Sequence, residues 1–368
     1  MSNSIPITNK PYLLVQSNSP GELSHWVCPL VRAFKALVPD SMVHVILTPC
    51  QYASGKERDF ALEIPGVDRV SEPKETLRFL RTGDLGSSHT PTGLMCLGGD
   101  PMYSRLLGAR FGIPVMGYSE HQESLGKGFS KTFSLANNGD LMACAISDQQ
   151  KEGMSSNPPV NCVLFTGSRP AHFKAYFPIV ADALGIILKV RPDFPVQVSV
   201  SPFISESLLA EMSSKFPVNI PLQQGQSSAL LAKAKVLVTL PGTNTAEAMY
   251  MGVPVLTVIP LNRPDLLIFD GLLGILGRIP LLGTLIKRLT VAILRRQDRC
   301  YSIPNRRLNH RLCPELLGDI TPAYLADQIL QFYDDEAGLD AIRSGYHALP
   351  VNKDLACQMA QAILGAMN

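Results

Sequence analysis

"LPGTNTAEAMYMGVPVLTVIP", Leu240 to Pro260, sets the reading of the chain. The apolar run Val236 to Leu240 reads as a buried strand. It enters the turn Pro241-Gly242, and a short helix, Gly252 and a second apolar strand from Val253 follow. Strand, glycine turn, helix and strand form the repeating unit of a parallel α/β sheet. The helix N-terminus then lies at the carboxyl end of a strand, where open α/β sheets bind ligands. Free backbone N–H groups and the helix dipole favour a phosphate there. Gly242 lets the backbone approach it, Thr243 and Thr245 add hydroxyl donors, and Glu247 can accept from sugar hydroxyls. A plain structural account competes: Asn244 caps the helix, Glu247 at the third helical position completes a capping box, and Gly252 ends the helix.

The same alternation runs through the chain. The first half predicts strands at Tyr12–Gln16, Met42–Leu47, Leu94–Gly98, Ile113–Tyr118 and Met142–Ser147. Helices are expected at Ser24–Val38 and Met102–Phe111 between them. The strands are near-continuous apolar runs, as strands buried on both faces of a parallel sheet are. "KEGMSSNPPVN", Lys151 to Asn161, reads as a linker. After it the alternation restarts with Cys162–Gly167, His172–Val190, Phe194–Ser201 and Glu206–Lys215. The expected architecture is α/β, with two doubly wound Rossmann-like domains facing a cleft. Residues 1–155 form the first, and residues 160–350 the second.

Composition narrows the function classes. The chain has 368 residues, 46% hydrophobic and 17% charged, so two domains are expected rather than one core. A net charge of +2 does not suggest a nucleic-acid partner, which would need a concentrated basic face. The eight cysteines include no C-x-x-C pair, which argues against a zinc framework. The first residues carry no basic start followed by a long apolar stretch, so a cytoplasmic location is expected.

Other turns carry candidate chemistry. "LFTGSRP", Leu164 to Pro170, places Gly167, Ser168 and Arg169 at the end of a strand, where an arginine can hold a diphosphate. In "QSNSPGELSHW", Gln16 to Trp26, Glu22 and His25 follow Gly21 at a helix start; a histidine there caps or packs more often than it acts as a base. "CLGGDP", Cys96 to Pro101, ends a strand with Asp100, which is either a general base raised in pKa by burial or a simple helix cap. From Arg263 to Arg299 the chain is greasy with basic flanks. Residues 263–299 read as a helical hairpin lying at a membrane surface, with a buried helical pair at a homodimer contact as the alternative.

Taken together, these stretches resemble lipid-A-disaccharide synthase, an inverting glycosyltransferase family of the GT-B fold. Gly21-Glu22 matches the family's glycine-glutamate turn, and "GGDP" matches the strand end that bears its catalytic aspartate. "TGSR" stands for its "PGSR", "PGTNTAE" for its nucleotide-holding "SGTATLE", and "SIPN" (Ser302 to Asn305) with "PELL" (Pro314 to Leu317) for its last motifs. The resemblance implies transfer of a sugar from a UDP-sugar donor to a lipid-linked acceptor. It implies no bound metal and no cofactor, since the UDP-sugar is a substrate. Asp100 would be the base, Arg169 and Asn305 would contact the donor, and the C-terminal helix (352–368) would return to the first domain. The chain departs from the family where "LSHW" follows the first turn and where "YSEHQES", Tyr118 to Ser124, replaces an aromatic-rich stretch. Two other readings use the same residues: a UDP-sugar epimerase, and a non-catalytic sugar-nucleotide or lipid-binding protein.

Overall fold

The computed structural model describes residues 10–49, 55–87, 89–120, 124–146, 161–167, 169–214, 222–225, 227–263 and 299–367. Two compact units divide the chain: residues 1–149 with 350–368, and residues 150–349.

The first unit is built on a six-stranded sheet. Its strands are β1 (Tyr12–Ser17), β2 (Met42–Leu47), β3 (Arg69–Ser71), β4 (Gly93–Cys96), β5 (Val115–Ser119) and β6 (Lys131–Ser134). Their order is β3-β2-β1-β4-β5-β6, and every pairing is parallel. All six residues of β1 are buried. Leu13 and Val15 enter one core with Phe34, Val43 and Val45. Tyr12 and Leu14 enter the core on the other face with Ile46, Phe79 and Leu107. Burial on both faces is why these strands read as unbroken apolar runs. The helix Leu355–Met367 belongs to this unit. Its Leu355, Met359, Ala360 and Ile363 join the Phe34 core beside the helix Cys28–Leu37.

The second unit repeats the plan. β7 (Asn161–Phe165), β8 (Val196–Val200), β9 (Leu222–Gln224), β10 (Ala234–Thr239), β11 (Val255–Pro260) and β12 (Glu315–Gly318) lie in the order β12-β11-β10-β7-β8-β9, again all parallel. Cys162, Leu164, Val236 and Val238 face one core; Val163, Phe165 and Leu237 face the other. In each sheet the strand order reverses beside the unit's first strand, between β1 and β4 and between β7 and β10. Such switch points open a crevice at the carboxyl ends of the strands.

One expected strand is a helix. Residues 141–146, expected to be extended from Met142, are helical. Asp140 explains the difference: its Oδ1 accepts from the Met142 amide at 3.0 Å, an N-cap contact. The sixth strand of the first sheet is Lys131–Ser134 instead. Helical structure also starts earlier than expected after β1. A turn at Pro20–Glu22 runs through a π-helical stretch, Leu23–Val27, into Cys28–Leu37.

Candidate functional site

At the switch point of the first sheet, two loops interlock. After β1, Ser19 caps the turn Pro20–Glu22 and Glu22 reaches back in a capping box. Glu22 Oε2 accepts from Asn18 N at 3.0 Å, Ser17 Oγ at 3.1 Å and Ser19 N at 3.2 Å. Burial raises the Glu22 pKa, and these donors only partly offset it. After β4, Gly98 lies directly against this carboxylate: a Cβ there would stand 1.9 Å from Glu22 Oε2. Gly99 takes a left-handed φ of +73°, and a Cβ on it would meet Thr48 Oγ1 at 2.3 Å. Only glycine fits either position.

Gln16, wholly buried at the end of β1, fixes the second loop. Its Nε2 donates to Gly98 O at 2.7 Å and to Asp100 O at 3.0 Å, while its Oε1 accepts from Ser104 Oγ at 2.6 Å. Gln16 is a site-building residue that sequence reasoning missed, because its partners lie more than eighty positions away. Asp100 is the N-cap of the helix Pro101–Phe111, with Oδ1 accepting from Met102 N at 2.8 Å. Its side chain is exposed, so the burial expected for a tuned base is absent. His25 Nδ1 donates to Gly21 O at 3.0 Å within the π-helical stretch. The structure thus brings Glu22 and the Gly98-Gly99-Asp100 loop together.

At the switch point of the second sheet, the loops after β7 and β10 meet. Gly167 has φ +92°, and a Cβ there would lie 2.9 Å from His172 Cβ and 3.4 Å from Leu240 Cδ1. Arg169 is the N-cap of the helix Pro170–Val190, which begins with a proline. Ser168 lies outside the described residues. Across from this loop, Gly242 caps the helix Thr243–Tyr250 and no side chain serves as its cap. The N-terminal end of this helix is open: Gly242 and Thr243 are exposed and Asn244 is half-buried.

This corrects the expected capping box. The helix starts two residues earlier than the Asn244 cap requires, which moves Glu247 to its fifth position, beyond reach of the cap amide. Glu247 turns inward instead, 3% exposed, and accepts from Ser228 Oγ at 2.7 Å. Thr245 is fully buried. Its Oγ1 donates to Gly242 O at 2.8 Å and accepts from Ile303 N at 3.1 Å.

Asn305 is not on the open surface. It is fully buried, its Oδ1 accepts from Leu312 N and Cys313 N, and its Nδ2 donates to Cys313 O and to Glu315 Oε1. Glu315 also holds Tyr301 N, Ser302 N and Ser302 Oγ. The "SIPN" and "PELL" stretches are therefore clamped together, and Ile303 ties them to Thr245 of the helix Thr243–Tyr250. Asn305 builds the frame behind the open turn.

The membrane-surface expectation falls on residues 264–298, and part of "YSEHQES" on 121–123; both lie outside the described residues. Among the described residues no helix is long and apolar enough to cross a membrane. Among them, too, no cluster of His, Cys, Asp and Glu is placed to hold a metal ion.

Comparison with known proteins adds to this geometry. No protein-family model matches the chain. The lipid-A-disaccharide synthase of Xanthomonas campestris pv. campestris (strain 8004) is 26% identical over 238 residues, 61% of this chain and 49% of that protein. The lipid-A-disaccharide synthase of Psychromonas ingrahamii is 28% identical over 116 residues, 31% of this chain and 30% of that protein. The chain thus matches about half, or less, of the length of these curated relatives. Among solved structures, the kitacinnamycin glycotransferase superposes with a TM-score of 0.55 at 12% identity, covering 98% of this chain and 100% of that one.

The fold is of the GT-B class. A UDP-GlcNAc 2-epimerase from Methanocaldococcus jannaschii, solved with UDP-GlcNAc and UDP, superposes at a TM-score of 0.57 with 14% identity, covering 96% of this chain and 99% of that one. Transferases and epimerases share this GT-B plan, so the fold alone does not separate the two activities.

Proposed function

We propose that this GT-B chain is an inverting glycosyltransferase that moves a sugar from a UDP-sugar to a lipid-linked acceptor at a membrane surface. The observation that carries the reading is the open turn at Gly242–Asn244, in the loop whose Leu240 packs at Gly167 of the Arg169 loop, at the switch point of the second sheet. Exposed amides at a helix N-terminus suit a diphosphate, and the guanidinium adds charge-assisted bonds. The partial likeness to lipid-A-disaccharide synthases supports the lipid acceptor.

The chemistry assigns each group a task. The acceptor hydroxyl attacks the anomeric carbon as the bond to the diphosphate breaks, and the configuration inverts. The helix dipole at Thr243 and the Arg169 charge stabilise the negative charge that grows on the leaving diphosphate. Asp100 takes the hydroxyl proton, since one of its oxygens is held by Met102 N while the side chain stays exposed. Glu22 fixes the loop that carries Asp100 by filling the space over Gly98. The basic, greasy stretch 263–299 holds the enzyme at the lipid surface.

An epimerase is the second reading, favoured by the M. jannaschii superposition. NMR of UDP-N-acetylglucosamine incubated with purified protein and no lipid separates the two. A transferase leaves the sugar's C2 configuration unchanged. Appearance of the manno-configured UDP-sugar would move the assignment to an epimerase.

A further inference from the structure

The second sheet's switch point holds a histidine that the reaction above does not use. His172 is the third residue of the helix Pro170–Val190, one turn from Gly167. Its Nδ1 would lie 3.6 Å from a Cβ on Gly167, so the ring rests beside that glycine turn. The ring is half-buried, and neither nitrogen makes a hydrogen bond among the described residues. The other described histidines of the interior and of the candidate sites differ. His44 bonds Tyr12 and Ser71 through both nitrogens, and His25 bonds Gly21. Partly buried polar groups are normally paired, and a position left open beside a binding loop is one that a ligand can fill.

We propose that His172 is a ligand-contacting residue of this site, donating from its imidazole to a phosphate oxygen of a nucleoside diphosphate, and that binding takes up a proton on its ring. The proposal rests on the reading that this end of the second sheet binds a nucleoside diphosphate. Without ligand, burial and the neighbouring Arg169 charge hold the His172 pKa down to about 4, so the ring is neutral near pH 7. Arg169 is the charged group acting on the ring; Gly167 and Leu240, the other contacts of this turn, carry no charge. The helix N-terminus also disfavours a cation. A bound diphosphate reverses both influences. It offsets Arg169 and places negative charge against the ring, which favours the imidazolium.

Calorimetry of UDP binding, in buffers of differing ionisation enthalpy between pH 6 and 8, measures the protons taken up. The same titration on His172→Gln removes the contribution of UDP's own terminal phosphate. The wild-type protein should take up more protons than the variant. Its affinity should strengthen more steeply as pH falls, by up to about tenfold per pH unit for full linkage to one proton. UDP-glucose, whose diphosphate does not titrate in this range, gives the wild-type value directly should the variant fold poorly. Equal proton uptake by both proteins, or none with UDP-glucose, overturns the role of His172 while leaving the diphosphate site standing. No binding of UDP or UDP-glucose to the wild-type protein overturns the site reading and this proposal together.

Discussion

The Glu22 carboxylate occupies the space that any side chain at Gly98 would need. A Cβ on Gly98 would lie 1.9 Å from Oε2 and 2.5 Å from Oε1 of Glu22. Two turns that read as separate motifs, after the first and fourth strands, are one interlocked unit. Its position at the switch point of the first sheet couples the shape of the Asp100 loop to a carboxylate 78 residues earlier in the chain.

Gly98→Ala tests that interlock. The methyl group must displace Glu22 from its three donors or push the loop away, and overpacking of this kind costs about 1–3 kcal/mol. Thermal melting should show a clear loss of stability, and transfer activity should fall with it. A variant as stable and active as wild type would mean that the two loops adjust freely.

Glu22 also sets a pH dependence. Burial raises its pKa in the folded protein above the ordinary carboxyl value of 4.5. A raised folded pKa contributes stability below the unfolded value, and that contribution is lost as pH rises through the folded value. Glu22→Gln cannot ionise and lacks this loss. The stability of wild type relative to Glu22→Gln should therefore decline as pH rises from about 4 towards neutrality, measured by melting both proteins across that range. A difference that does not change with pH would remove the buried carboxylate from the account.

His44 titrates in the opposite sense. It is wholly buried between Tyr12 OH at 2.8 Å and Ser71 Oγ at 2.9 Å, and burial holds its pKa down to about 3. The unfolded chain binds a proton below about pH 6.5 while the folded chain does not. Stability should thus fall with pH from 6.5 towards 3, by about 1.4 kcal/mol per unit from this one group. His44→Gln keeps a donor and an acceptor in place and should flatten that part of the curve in acid denaturation. An unchanged slope would show that other groups control acid unfolding.

Asp100 has a structural task and a proposed chemical one, and two substitutions separate them. Asn is as good an N-cap as Asp, so Asp100→Asn should melt near the wild-type temperature, while Asp100→Ala should lose about 1 kcal/mol. Loss of a general base lowers rates by about 10²–10⁴-fold. Both variants should show that loss while still binding UDP. Near wild-type transfer by Asp100→Asn would leave Asp100 as a helix cap alone.

Much of this was legible in one dimension. Apolar runs such as Tyr12–Gln16 and Val236–Leu240 are uninterrupted because both faces of each sheet are covered, and glycines mark the switch-point turns. The misread segment at 141–146 shows the limit. A short apolar run is compatible with either strand or helix, and the deciding signal was the polar residue before it, Asp140. β3 and β9 are three residues long and leave almost no periodicity to detect. In the site, Gly167 and Gly242 were visible as turn glycines, yet nothing local distinguishes exposed Thr243 from buried Thr245 and Glu247. The resemblance of "SIPN" made Asn305 a contact residue; its four hydrogen bonds to Leu312, Cys313 and Glu315 appear only when the chain folds back. Gln16 gains its meaning from neighbours that the sequence does not place beside it.

Purified protein incubated with labelled UDP-sugars and a total lipid extract from its own source tests the proposed function most directly. Label should move from the aqueous to the organic phase with one donor, release of UDP should match it, and Asp100→Asn should suppress both. Label that stays aqueous with every donor, while UDP still binds, would contradict a lipid glycosyltransferase and favour an epimerase or a binding protein on the same fold.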